Sequence, residues 1–108
     1  MARVTVEAQP RNVIGGHMIS TIVGLFVYHI LVQSPLAMAF GVGLAIGSMM
    51  LTKTTHPPAG ADPIVVIMAG SSWSFLFTPV LSGALVVVFV GLIINNLAKE
   101  RSYPTFWV

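Results

Sequence analysis

Residues 13–32 run for twenty positions without a single Asp, Glu, Lys or Arg. That is the length an α-helix needs to cross a hydrocarbon core about 30 Å thick. Charge-free apolar stretches recur at residues 36–52 and 76–97. The 108-residue chain holds five Lys and Arg against three Asp and Glu, and 56% of it is apolar. A water-soluble domain, usually about a quarter charged, could not cover itself with so few. The expected solvent is a lipid bilayer, where every backbone group must be satisfied internally. The expected fold is therefore all-α, a polytopic transmembrane helix bundle forming a single domain.

The same composition excludes several functions. With no cysteine, disulfides, thiolate nucleophiles and Cys-ligated metals are ruled out. No basic tract suggests nucleic acid. The opening residues 1–12 carry Arg3, Glu7, Gln9 and Arg11 and lack the apolar core of a signal peptide.

In the first span, His17, Ser20, Thr21, Gly24 and Tyr28 share one helix face by their spacing. Gly16, Ser20 and Gly24 form a ladder of small residues that lets another element approach closely. This face is expected to look into protein. Gln33-Ser34-Pro35 makes an uncharged turn, and a second span follows over residues 36–52. There Ala39, Gly43 and Gly47 form a second ladder, which suggests that the two spans pack as a close hairpin.

The second span ends at Lys53, before the polar run Thr54-Thr55-His56-Pro57-Pro58-Ala59-Gly60-Ala61-Asp62-Pro63. Proline removes an amide donor and breaks helices, so this run interrupts the apolar pattern midway. Asp62-Pro63 reads as the start of the next helix, with Asp62 as N-cap and Pro63 at the first helical position. Residues 64–70, extended through Ser71-Ser72-Trp73-Ser74 to Phe77, fit either a re-entrant half-helix or a short third crossing. A last span covers residues 76–97, interrupted early by Pro79 and Gly83. The tail from Lys99, with Tyr103 and Trp107, is expected at headgroup depth. If the third piece crosses, all five basic residues (Arg3, Arg11, Lys53, Lys99 and Arg101) fall on one side, the cytoplasmic one. That balance favours about four crossings, the third short and broken near residues 56–63, with both termini cytoplasmic.

In that topology Arg11, His17, Lys53, His56 and Asp62 gather in one layer from different segments. A small monovalent anion suits such a layer, with free amides at the helix start beside Arg, Lys or protonated His. Asp62 complicates this, because a free carboxylate repels an anion. It fits as an N-cap, as a partner of Lys53 or His56, or as a protonatable group in a proton-coupled cycle. Arg11 and Lys53 also fit as ordinary interfacial anchors. His17 divides evenly between helix packing and function, His29 reads as interfacial, and His56 is the residue on which function is expected to rest. No metal site is expected, since no His/acid pair stands at helical spacing.

Gln9-Pro10-Arg11-Asn12-Val13-Ile14-Gly15-Gly16-His17 and His56-Pro57-Pro58-Ala59-Gly60-Ala61 resemble the two motifs of the HPP family of integral membrane proteins. Asn95-Asn96-Leu97, Tyr103-Pro104 and Trp107 are similar to that family's C-terminal end. The resemblance implies a four-helix membrane fold with no enzyme activity or cofactor. Plant and cyanobacterial members are associated with nitrite transport. Relative to the family, the chain is expected to lack the most N-terminal helices, and Asp62-Pro63 departs from the small residues usual there. The expected function is a permease-like protein of a prokaryotic cytoplasmic membrane, moving a small inorganic anion such as nitrite. Its substrate-binding residues would be His56, Pro57, Pro58, His17, Arg11, Asn12, Asp62 and Lys53. Its partners would be the lipid bilayer, the anion, and further copies of itself or a partner membrane subunit. The alternative is a non-transporting membrane subunit or a sensor and coupling module.

Overall fold

The computed structural model describes residues 5–31, 33–97, 103–105 and 107. Four α-helices account for most of them: α1 (Pro10–Ile30), α2 (Pro35–Leu51), α3 (Asp62–Ala69) and α4 (Ser82–Leu97). No strand occurs among the described residues. Two continuous helical stretches, Pro10–Ile30 and Trp73–Leu97, are long and apolar enough to cross a membrane. The expected all-helical architecture is the observed one.

Local chemistry sets the helix boundaries. Pro10 and Pro35 open α1 and α2, where a missing N–H costs nothing. The Ser34 hydroxyl accepts from the Ala37 amide and caps α2. The Thr54 amide reaches the Met49 carbonyl and the Lys53 amide the Met50 carbonyl, so α2 ends in a Schellman turn. Its left-handed position belongs to Lys53, at φ 57°. α3 ends in the same way, with Gly70 at φ 63° and the Ser71 amide on the Val66 carbonyl. The Gln33 side chain reaches over to cap the Ile67 and Met68 carbonyls at that end.

The break between α2 and α3 falls where the prolines place it. Residues 53–56 form a connecting strap, and Pro57–Ala61 is a 3-10 helix that runs directly into α3. Pro57 and Pro58 stand in its first turn and Pro63 in the first turn of α3, so each ring avoids a lost hydrogen bond. The stretch before α4 is also irregular. Thr78, ahead of Pro79, leaves helical geometry (φ −135°, ψ 114°), because the proline ring disfavours the α region for its neighbour.

α1 is the central helix. It packs against α2, α3 and α4 in turn, and it buries Val13, Leu25 and Val27 together with Gly16, Ser20, Thr21 and Gly24. Leu25, Val66 and Leu76 form one apolar cluster, Val27, Ala37 and Ile67 another, and Val13, Ala84 and Val88 a third. Outward-facing Phe40, Leu44, Leu85, Phe89 and Ile94 are all exposed, as lipid contact requires. Helices in lipid associate by close packing and hydrogen bonds, since lipid tails are as apolar as Leu.

The expected hairpin of the first two spans is present, but not through the expected ladder. α2 buries Ala37, Gly41, Ala45 and Met49, and a Cβ added to Gly43 or Gly47 would meet nothing within 4 Å. The residues two positions along the helix thus point away. The tail is also corrected in part. Tyr103 is buried against Gly91 of α4, and its backbone is clasped by the Asn96 amide, which accepts from the Tyr103 N–H at 3.1 Å and donates to its carbonyl. The Thr105 amide donates to Gln9 Oε1 at 2.8 Å, so the described tail returns to the start of α1. Arg11 and Lys53 share that end of the bundle, while Arg3, Lys99 and Arg101 lie outside the described residues.

Candidate functional site

The site forms where the strap after α2 lies on the small-residue face of α1. Cβ atoms added to Gly15 and Gly16 would stand 2.8 Å from the Thr54 side chain and 2.7 Å from His56 Cβ. Only hydrogen at these positions lets the strap approach so closely. The Asn12 amide donates to the Thr55 carbonyl at 2.7 Å. About two turns deeper, the Ser20 hydroxyl donates to the Ala59 carbonyl at 2.5 Å. Below that, a Cβ on Gly24 would stand 2.8 Å from Pro63 Cα, and one on Gly41 of α2 would stand 2.9 Å from Pro63 Cβ. The Pro63 ring thus sits between two glycines. The ladder expected to receive a helix receives the Pro-rich break itself.

This packing brings together titratable groups far apart in sequence. His17 Nδ1 lies 2.7 Å from Asp62 Oδ2. The Thr21 hydroxyl donates to the same oxygen at 3.2 Å. The His56 ring packs edge-on to His17, centroids 4.9 Å apart, and its Nδ1 lies 2.7 Å from the Glu7 carbonyl. Burial pushes the His56 imidazole below its ordinary value of 6.5 and, with a smaller push from His17, outweighs the Glu7 hydrogen bond and the Asp62 charge that raise it. His17 and Asp62 face a groove of about 280 Å³ walled by Pro79, Val80, Gly83, Ala84 and Val87. Gly83 leaves room there, since a Cβ on it would meet nothing within 4 Å. Two larger grooves on the outer faces of α1 and α2 are lined by apolar residues and Ser48, and their open, apolar walls suit lipid.

Of the expected site residues, His17, His56, Asp62 and Asn12 converge. Arg11 stands half-buried at the same end, one turn and a half before His17. Pro57 and Pro58 shape the strap and are exposed. Lys53, held in the left-handed cap position, is exposed, and its side chain makes no hydrogen bond or ion pair among the described residues. Two expectations are corrected. Asp62 does not cap α3: it has helical dihedrals and its carboxylate bonds sideways to His17 and Thr21. Nor does a set of free amides stand at Asp62-Pro63. The 3-10 helix already occupies that end, its own start is two prolines without N–H, and the Asp62 amide bonds to Ala59. The partner of Asp62 is thus His17 rather than Lys53 or His56. Thr21, placed by its spacing on the His17 face, and the Glu7 carbonyl belong to the site although neither was among the expected binding residues. No group of three or more His, Cys, Asp or Glu suited to a metal occurs among the described residues.

Comparison with known proteins finds transmembrane relatives. Two transmembrane proteins of Dictyostelium discoideum are 42% and 41% identical to the chain over 108 residues, covering 93% of it. The chain spans 35% and 38% of their lengths. No solved structure matches it. The model of the HPP transmembrane region matches residues 3–104, a stretch containing both motifs that meet at the His17–Asp62–His56 layer, and the chain belongs to the HPP family of membrane proteins.

Proposed function

We propose that this chain acts as a permease-like membrane protein that moves a small inorganic anion such as nitrite across a prokaryotic cytoplasmic membrane. The reading is one of transport rather than catalysis. The observation that carries it is the convergence of His17, His56, Asp62 and Asn12 beside an open groove in an otherwise apolar molecule. Ionisable groups inside a membrane bundle are costly and mark substrate or proton pathways. Imidazoles can supply the positive charge an anion needs, with Arg11 at the same end. Four crossings with both termini cytoplasmic, and an oligomer completing the pathway, belong to the same reading.

Saturable nitrite uptake by liposomes containing the purified chain, above that of empty liposomes, is the expected result. His56→Ala should abolish it while leaving membrane insertion intact. Single cysteines at Gln33 and at Lys53 should label from opposite sides of the membrane. A second reading, a non-transporting subunit or coupling module, draws on the wide exposed faces of α2 and α4. Absence of flux from well-folded protein, restored by co-reconstituting a full-length relative, would favour it.

A further inference from the structure

The two imidazoles of the site share a feature that the transport reading does not use. His56 Nδ1 meets the Glu7 carbonyl, which can only accept, so Nδ1 carries hydrogen and Nε2 is the atom that gains or loses a proton. His17 Nδ1 meets a carboxylate oxygen that also accepts from Thr21, which likewise fixes its hydrogen on Nδ1. Each ring is left with its Nε2 as the atom able to accept a proton, and the two rings are in edge contact.

The charge of the His17–Asp62–His56 cluster follows from their state, beside the fixed positive charge of Arg11 at the same end of the bundle. With Asp62 ionised and both rings neutral, the cluster is negative and repels an anion. A first proton on either ring makes it neutral, and a second makes it positive. The groups facing the pair are His17 and Thr21 from α1, His56 from the strap, the Glu7 carbonyl from the N-terminal turn, and Asp62 from α3. The wall formed by Pro79, Val80, Gly83, Ala84 and Val87 has no titratable side chain. No other group on that wall therefore neutralises an incoming anion.

We propose that anion entry into this layer is coupled to proton uptake by the His17–His56 pair, with Asp62 as the counter-charge that rejects the anion until the proton arrives. This inference rests on the transport reading and specifies its energy source. The proton comes from water on the side where the anion enters, binds an imidazole Nε2, and leaves with the anion on the other side. Half-burial of His56 favours its neutral form in the empty site, so it has a proton to gain on loading. The glycine seat makes the coupling geometric: Gly16 admits His56 to within ring contact of His17.

The test is a nitrite titration of the purified chain in detergent, weakly buffered with a pH indicator, beside equilibrium dialysis for bound nitrite. The expected result is a proton taken up with each nitrite bound. The apparent Kd should rise about tenfold per pH unit toward the alkaline end of the window from about pH 5 to 8. His56→Gln, which keeps a donor for the Glu7 carbonyl, should lose most of the uptake and flatten that slope. Asp62→Asn should tighten nitrite at the alkaline end by about fivefold or more. Nitrite binding with no proton uptake and no pH dependence overturns the coupling and leaves the transport reading intact. No nitrite binding by monodisperse, helical protein overturns both. The wild-type result decides even where a variant fails to fold.

Discussion

α1 and α2 each carry a ladder of small residues at four-residue spacing, and the two meet opposite fates. Gly16, Ser20 and Gly24 on α1 are buried under the strap, the 3-10 turn and Pro63. Gly43 and Gly47 on α2 face open space, and Ala39 lines an outer apolar groove. Spacing makes a helix face approachable; what approaches is decided by where the rest of the chain can go. The strap and the 3-10 turn after α2 present carbonyls at Thr55 and Ala59, and the α1 face meets them with donors, Asn12 and Ser20, at the matching height. The α2 ladder has no polar group to offer, so nothing in this chain is drawn to it.

Substitutions that fill each ladder measure this contrast. Gly24→Ala should have the largest effect, because its methyl meets the Pro63 backbone, which cannot rotate away. A loss of about 1–3 kcal/mol is expected, read as a lower thermal midpoint in detergent. An effect near zero would mean the seat is looser than the geometry. Ser20→Ala should cost about 1 kcal/mol by removing one of the two donors on the Ala59 carbonyl, which keeps only the Asp62 amide, seen as faster amide exchange at residues 59–62. Gly43→Ala should do the opposite and stabilise α2 by up to about 1 kcal/mol, since alanine is the better helix former and has room. Destabilisation there would show that the outer face is occupied.

The two Schellman ends sharpen the comparison from another side. Gly70 suits its left-handed position, whereas Lys53 holds the same geometry at a cost. Lys53→Gly should therefore stabilise the protein by about 1 kcal/mol, measurable by the same thermal scan. The smallest effect should be a pH dependence from His56. Its folded value lies below 6.5, so the unfolded chain binds the proton more readily. Stability is then fully present above about pH 6.5 and declines as pH falls through the lowered value. His56→Gln should remove that acid-side slope from the thermal midpoint.

Much of this molecule was legible before its structure. Charge-free stretches, helix-start prolines and the central break were readable because helix length, proline chemistry and lipid solvation act locally along the chain. The layer shared by His17, His56 and Asp62 followed from folding those elements back and forth. The partner of Asp62 was not legible, because His17 stands 45 residues away and no local pattern links them. Asp-Pro before an apolar run is an ordinary capping signal, and only the continuation of the Pro57–Ala61 turn into α3 frees the carboxylate to turn sideways. Likewise the α2 ladder has the same spacing as the α1 ladder, yet its neighbours two positions along were buried instead.

What the sequence by itself determined was a set of helices, their breaks, and which residues could approach closely. Those properties depend on neighbours within a turn or two. Tertiary structure alone decided that the Pro-rich strap, rather than another helix, fills the α1 face, and that His17, Asp62 and His56 come into contact as one cluster. Close packing selects a single arrangement from many that share the same spacing, and hydrogen bonds across 39–45 residues fix it.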